Sequence, residues 1–104
     1  MDLDPKSLPF SLPTQQIQQF CIQNHIMKLG LFGSVLRADF NEDSDIDVLV
    51  EFEKGHVPGL AFFNMQQQLS QMLGKKVDLN TKHWLSRHFR DDVISQQKII
   101  YDQT

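Results

Sequence analysis

One cysteine, one tryptophan, one tyrosine and five glycines are spread over 104 residues. With Cys21 alone, no disulfide can close within the chain, which excludes a small scaffold stapled by such bridges. Long apolar runs are missing too: no uninterrupted stretch approaches the roughly 20 residues that cross a bilayer. The chain does not open on a basic stretch leading into an apolar segment of signal length. A cytoplasmic address and no membrane partner are therefore expected. Positive charge is not in excess: ten basic residues against thirteen acidic ones leave a net charge of −3. That sign is opposite to the field on which non-specific nucleic-acid binding depends, so direct binding to nucleic acid is not expected. Internal repeats, heptads and a domain linker are likewise absent.

What is present suits one small globular unit: 40% of residues are apolar and 22% charged. Pro5, Pro9 and Pro13 mark residues 1–13 as an irregular lead-in, with a single domain over residues 14–104. From Thr14 to Asn24, Ile17, Phe20 and Cys21 recur on one face of a helix while Gln15, Gln16, Gln18, Gln19 and Gln23 fill the other. A second glutamine cluster, Gln66 to Gln68, reads in the same way as a solvated helix face. Leu29 to Phe32 is a short buried strand closed by Gly33 and Ser34, after which a short helix follows. Asp45 to Phe52 alternates around Ile46, Val48 and Val50, as a pleated core strand does. Leu60 to Leu73 has helical spacing, with Gly74 placed to cap it. Lys76 to Asn80 predicts a third strand, Leu85 to Ile94 a further helix from Leu85, Phe89 and Val93, and Lys98 to Tyr101 a last strand. The interleaving predicts a small mixed β-sheet with helices packed on it, an α/β domain of the α+β kind.

The chemistry is concentrated between Leu31 and Val50. Gly33 without a side chain and Ser34 with a short one allow a turn to approach an anion closely, with backbone N–H groups directed at it. That suits a phosphate. Asp45 and Asp47 are two apart on the same strand, so both carboxylates lie on one face, about 6.6 Å apart along the backbone at roughly 3.3 Å per residue. Crowding two aspartates beside a hydrophobic strand is unfavourable without a compensating cation, and hard oxygen ligands suit Mg²⁺ or Mn²⁺. Asp78, out of phase with Val77 and Leu79, offers a third carboxylate if its strand lies beside that of Asp45 and Asp47.

Gly33-Ser34, ten intervening residues and then Asp45-Ile46-Asp47 resemble the signature of the DNA polymerase β-like nucleotidyltransferase superfamily. The absence of a further domain resembles its minimal branch, the antitoxin partners of HEPN-domain ribonuclease toxins. The resemblance runs from about Ile17 to Tyr101. It implies the nucleotidyltransferase fold, with Gly33 and Ser34 holding the triphosphate of ATP, and Arg37, which matches a basic position after the Gly-Ser, neutralising phosphate charge. It implies further that Asp45, Asp47 and Asp78 are both metal ligands and catalytic residues, with Mg²⁺ or Mn²⁺ as cofactor. Asp78 would also help to deprotonate the attacking hydroxyl. The partner so implied is a HEPN toxin, silenced by transfer of AMP to a tyrosine; the alternative is an antitoxin that neutralises the toxin by binding alone. The chain departs from many members at Ala38, where they have glycine.

The remaining residues read more plainly. His25, His56, His83 and His88 lack the spacing of a structural zinc site, so zinc is not expected. Cys21, on the apolar face of its helix, is an inert packing residue. Phe89 is assigned to the core, and Trp84 is left between core and partner surface.

Overall fold

Ile17, Phe20 and Cys21 turn one face of the first helix inward, and everything else is arranged around a sheet that receives them. The computed structural model describes residues 12–37, 40–41, 43–56 and 58–103. The expected lead-in lies outside those residues apart from Leu12, which packs against the core, and Pro13, whose carbonyl accepts the Ile17 N–H at 3.0 Å. Helix α1 spans Thr14–Gln23, strand β1 Ile26–Phe32, and a 3₁₀ turn Gly33–Leu36. Strand β2 spans Ile46–Phe52, helix α2 Ala61–Leu73, and strand β3 Val77–Asn80. After a 3₁₀ turn at Lys82–Trp84 come helix α3, Arg90–Gln96, and strand β4, Lys98–Asp102.

The sheet has the order β3-β2-β1-β4. β1 runs antiparallel to both β2 and β4, while β2 and β3 are parallel. α1 lies against β1 and β4, and α2 against β3. Ile17, Phe20 and Cys21 meet Ile26, Leu29, Leu31, Ile46, Val48 and Val50 in one buried cluster, which Phe62, Met65 and Leu69 of α2 complete. Burial holds the Cys21 thiol up at about 12, so at neutral pH it is an uncharged, unreactive packing group.

Two element starts differ from the sequence reading by more than one residue. β1 begins at Ile26 rather than Leu29, because a register shift between Ile26 and Lys28 disrupts the alternation by which a strand is recognised. The last helix begins at Arg90 rather than Leu85. Ser86 Oγ accepts the His88 N–H at 3.3 Å, a local side-chain bond that competes with helix, and Asp91 and Asp92 then fall in the first turn, where the helix dipole favours them. Phe89 is consequently not a core residue: it is 47% exposed. Trp84 is 61% exposed, with its ring edge-on to Phe62 at 4.7 Å.

The glutamines of α2 are not all solvated. β3 is an edge strand, and its outward backbone donors are met by side chains of α2. The Val77 N–H donates to Ser70 Oγ at 3.0 Å, and the Leu79 N–H donates to Gln66 Oε1 at 2.9 Å. Ser70 Oγ in turn donates to the Gln66 carbonyl at 2.9 Å. Covering an edge in this way blocks its pairing with another chain and fixes β3 along α2. Gln66→Ala, which leaves the Leu79 N–H without its acceptor, is expected to destabilise the fold by about 1–3 kcal/mol. Gln67→Ala, at an exposed neighbour, is expected to stay within about 0.5 kcal/mol of the parent. Urea unfolding of the three proteins checks this, and equal midpoints for the two variants would contradict it.

Candidate active site

The turn after β1 is built around Gly33. Its φ of +77° lies in the left-handed region, and a Cβ at this position would strike Oδ2 of Asp47 and come within 3.1 Å of its Cγ. Backbone conformation and proximity therefore both require glycine. Ser34 Oγ donates to the Asp45 backbone carbonyl at 3.4 Å, and the Arg37 N–H closes the turn on the Ser34 carbonyl at 2.9 Å. Turn and strand start are thus joined. Ala38, the departure from the family pattern, lies outside the described residues.

A polar loop delivers Asp45. Asn41 Oδ1 accepts the Asp43 N–H at 2.8 Å, the Asn41 carbonyl accepts the Ser44 N–H at 3.0 Å, and Ser44 Oγ accepts the Asn41 N–H at 3.2 Å. Such side-chain bonds to backbone are how asparagine and serine stabilise tight turns. Phe40, at the head of this loop, lies under the Lys75 ammonium, 5.4 Å from its ring centroid. The Ile46 N–H donates to the Lys76 carbonyl at 2.9 Å and ties the start of β2 to the start of β3.

This tie sets the register that matters. Asp47 is the direct neighbour of Asp78 in the parallel pair, and across the other ladder it opposes Phe32, the residue before Gly33. Asp47 is half-buried, whereas Asp45, Asp78 and Arg37 are exposed. Gly33, Ser34, Asp45, Asp47 and Asp78 are therefore brought to one end of the sheet, with the Arg37 charge acting on Asp47. Burial pushes the Asp47 carboxyl above its ordinary value of 3.8; the Asp78 and Asp45 carboxylates add to that rise and the Arg37 guanidinium opposes it. A carboxylate so placed has an unmet demand for positive charge, and an all-oxygen donor set fits a hard divalent cation.

A tighter cluster lies elsewhere. Among the described residues, the group of three in which one ligand atom from each lies within 4.8 Å of the others is His25, Glu53 and His56, not the three aspartates. Sequence reasoning missed it because the three come from the start of β1 and the turn after β2, which adjoin only once the hairpin is paired. The sole local signal was Glu53-x-x-His56.

Residues 15–104 match the family described as polymerase beta, nucleotidyltransferase. Over 77 residues the chain is 35% identical to protein adenylyltransferase MntA of Thermococcus cleftensis, covering 73% of this chain and 74% of that relative. A toxin–antitoxin crystal structure with AMP-PNP contains a chain that aligns with a TM-score of 0.69 at 25% identity, over 88% of this chain and 74% of that one. The structure of tri-AMPylated Shewanella oneidensis HEPN toxin with MNT antitoxin holds a chain of the same fold, with a TM-score of 0.56 at 24% identity over 86% of this chain and 69% of that one.

The raised proton affinity of Asp47 has a sign that can be tested. A carboxyl whose folded value lies above its unfolded one adds stability that is fully present below about the ordinary 3.8 and is lost as pH rises through the folded value. Asparagine carries no such dependence. In divalent-free buffer, the melting temperature of Asp47→Asn minus that of the parent is expected to increase from pH 3.5 to pH 7, with the variant melting at or above the parent at pH 7. A variant well below the parent at both pH values would mark the carboxylate as a structural acceptor instead.

Proposed function

The chain belongs to the polymerase β nucleotidyltransferase family, and we propose that it transfers AMP from ATP to a tyrosine hydroxyl of a HEPN-domain toxin, acting as the antitoxin. The observation that carries this reading is the register of Asp47 beside Asp78, with the Gly33 turn seated against Asp47. It joins a candidate phosphate cradle to a carboxylate cluster in a chain whose relative is a protein adenylyltransferase.

The residues then have distinct tasks. Backbone N–H groups of the Gly33–Ser34 turn and the Ser34 hydroxyl hold the triphosphate, and Arg37 offsets its negative charge. The acceptor oxygen attacks the α-phosphorus in line, the bond to the bridging oxygen breaks, and pyrophosphate leaves. Asp78, the more exposed partner of the strand pair, accepts the hydroxyl proton. Mg²⁺ or Mn²⁺ held by Asp45, Asp47 and Asp78 would supply charge neutralisation at the phosphates and lower the pKa of the attacking hydroxyl.

A protein acceptor fits the surface as well as the relatives. Phe63 and Trp84 are exposed at a hollow of about 620 Å³ that Phe52 and Phe62 also line. Exposed apolar area of this kind is characteristic of surfaces that other proteins cover.

Incubation with a HEPN toxin, Mg²⁺ and ATP labelled at the α-phosphate is expected to leave covalent label on the toxin. Asp47→Asn, Asp78→Asn and excess chelator are each expected to abolish it. Toxin neutralised without any label would mean that binding alone suffices. In calorimetric titration, Gly33→Val is expected to weaken ATP binding more than Ser34→Ala, because the first displaces the turn from Asp47 whereas the second removes one hydroxyl, a loss of about 1–3 kcal/mol. Unchanged affinity in Gly33→Val would place the nucleotide elsewhere.

A further inference from the structure

His25 follows α1 with a φ of 55°, and among the described residues it is the one non-glycine residue with positive φ. Such a conformation persists where the surroundings enforce it. Here they do: the His25 carbonyl accepts the Glu53 N–H at 2.8 Å, and the Glu53 carbonyl accepts the His56 N–H at 3.0 Å. The side chains meet as well. His25 Nδ1 lies 3.6 Å from Glu53 Oε1, and the His25 and His56 rings stack with centroids 4.0 Å apart and planes inclined by 13°. Glu53 Oε2 is occupied by a hydrogen bond donated from Gln103 Nε2, which leaves Oε1 turned to the imidazole. An exposed ion pair contributes little by itself and needs neither a second imidazole nor a left-handed residue.

We propose that His25, Glu53 and His56 bind a borderline divalent metal ion, Zn²⁺ in the first instance, at a site separate from the aspartates. Two imidazole nitrogens and one carboxylate oxygen are a donor set for such an ion, and Gln103 supplies the outer hydrogen bond that orients the carboxylate. The aspartates, all oxygen, suit a harder ion. The two sites sit at opposite ends of the β1–β2 ladder: Ile26 pairs with Phe52 beside one, and Phe32 pairs with Asp47 at the other. The six steps along β1 from Ile26 to Phe32 separate them by about 20 Å at roughly 3.3 Å per residue. Parallel rings aim their lone pairs along separate planes, so occupancy rotates one imidazole. Both histidines are exposed, which leaves room for that rotation. An ion there clasps the start of β1 to the end of β2 and, through Gln103, to the end of β4.

Titration of the intact protein with ZnCl₂ in Mg²⁺-containing buffer is expected to show one tight equivalent and a rise in melting temperature, and Co²⁺ is expected to give visible d–d absorption. His56→Ala, Glu53→Gln and His25→Asn should each weaken that equivalent at least tenfold and remove the cobalt bands. Asparagine is chosen at position 25 because it tolerates the left-handed backbone, and circular dichroism verifies that each variant is folded. Asp47→Asn should leave the equivalent intact, and His56→Ala should leave adenylyl transfer intact. No stoichiometric binding, or binding that His25→Asn and His56→Ala leave unchanged while Asp47→Asn abolishes it, would overturn the proposal.

Discussion

The Asp47 carboxylate is the point on which the site depends. It is half-buried, lies beside Asp78 in a parallel strand pair, and occupies the space into which any side chain at position 33 would project. Two further carboxylates, Asp78 and Asp45, gather around a position that desolvation already makes unfavourable for charge, so the fold carries an electrostatic cost at this end of the sheet. A divalent cation has the charge to relieve that cost. On the proposed reading, affinity for that cation and the electrostatic cost in the free protein have one origin.

Distant residues hold this arrangement in place. The bond from Ile46 to Lys76 sets the β2–β3 register, and Gln66 and Ser70 of α2 hold β3 by its outward donors. A shift of one residue in either strand would turn Asp47 or Asp78 to the opposite face and place the alternating valines and isoleucines in water. The core that Ile46, Val48, Val50, Val77 and Leu79 share with α1 and α2 resists that shift. Burial of one face thus fixes the placement of acid on the other.

Much of this was legible in the sequence, and the reasons differ from element to element. Period-two alternation located β2 and β3, and Gly74 stopped α2 where its left-handed φ of 69° permits. The Gly-Ser turn and spaced aspartates pointed to the candidate site before any strand was paired. Neighbouring pairs are another matter. That Asp47 stands next to Asp78 depends on parallel pairing across α2, and the role of Gln66 depends on β3 being an edge; neither is encoded in local pattern. The bulge near Met27 concealed the start of β1, and the serine-directed turn at Ser86 displaced α3 to a later start, exposing Phe89. His25, Glu53 and His56 eluded a search by spacing because hairpin pairing, not sequence proximity, assembles them.

The central claim is that Asp45, Asp47 and Asp78 hold the cation of a nucleotide whose phosphates rest on the Gly33–Ser34 turn. Crystals grown with a non-hydrolysable ATP analogue and Mn²⁺, measured for anomalous scattering, test it most directly. The expected result is manganese density bounded by the three aspartates, with the triphosphate against the amides of residues 33 and 34. An ordered nucleotide bound away from that turn, or manganese bound away from the aspartates, would contradict it.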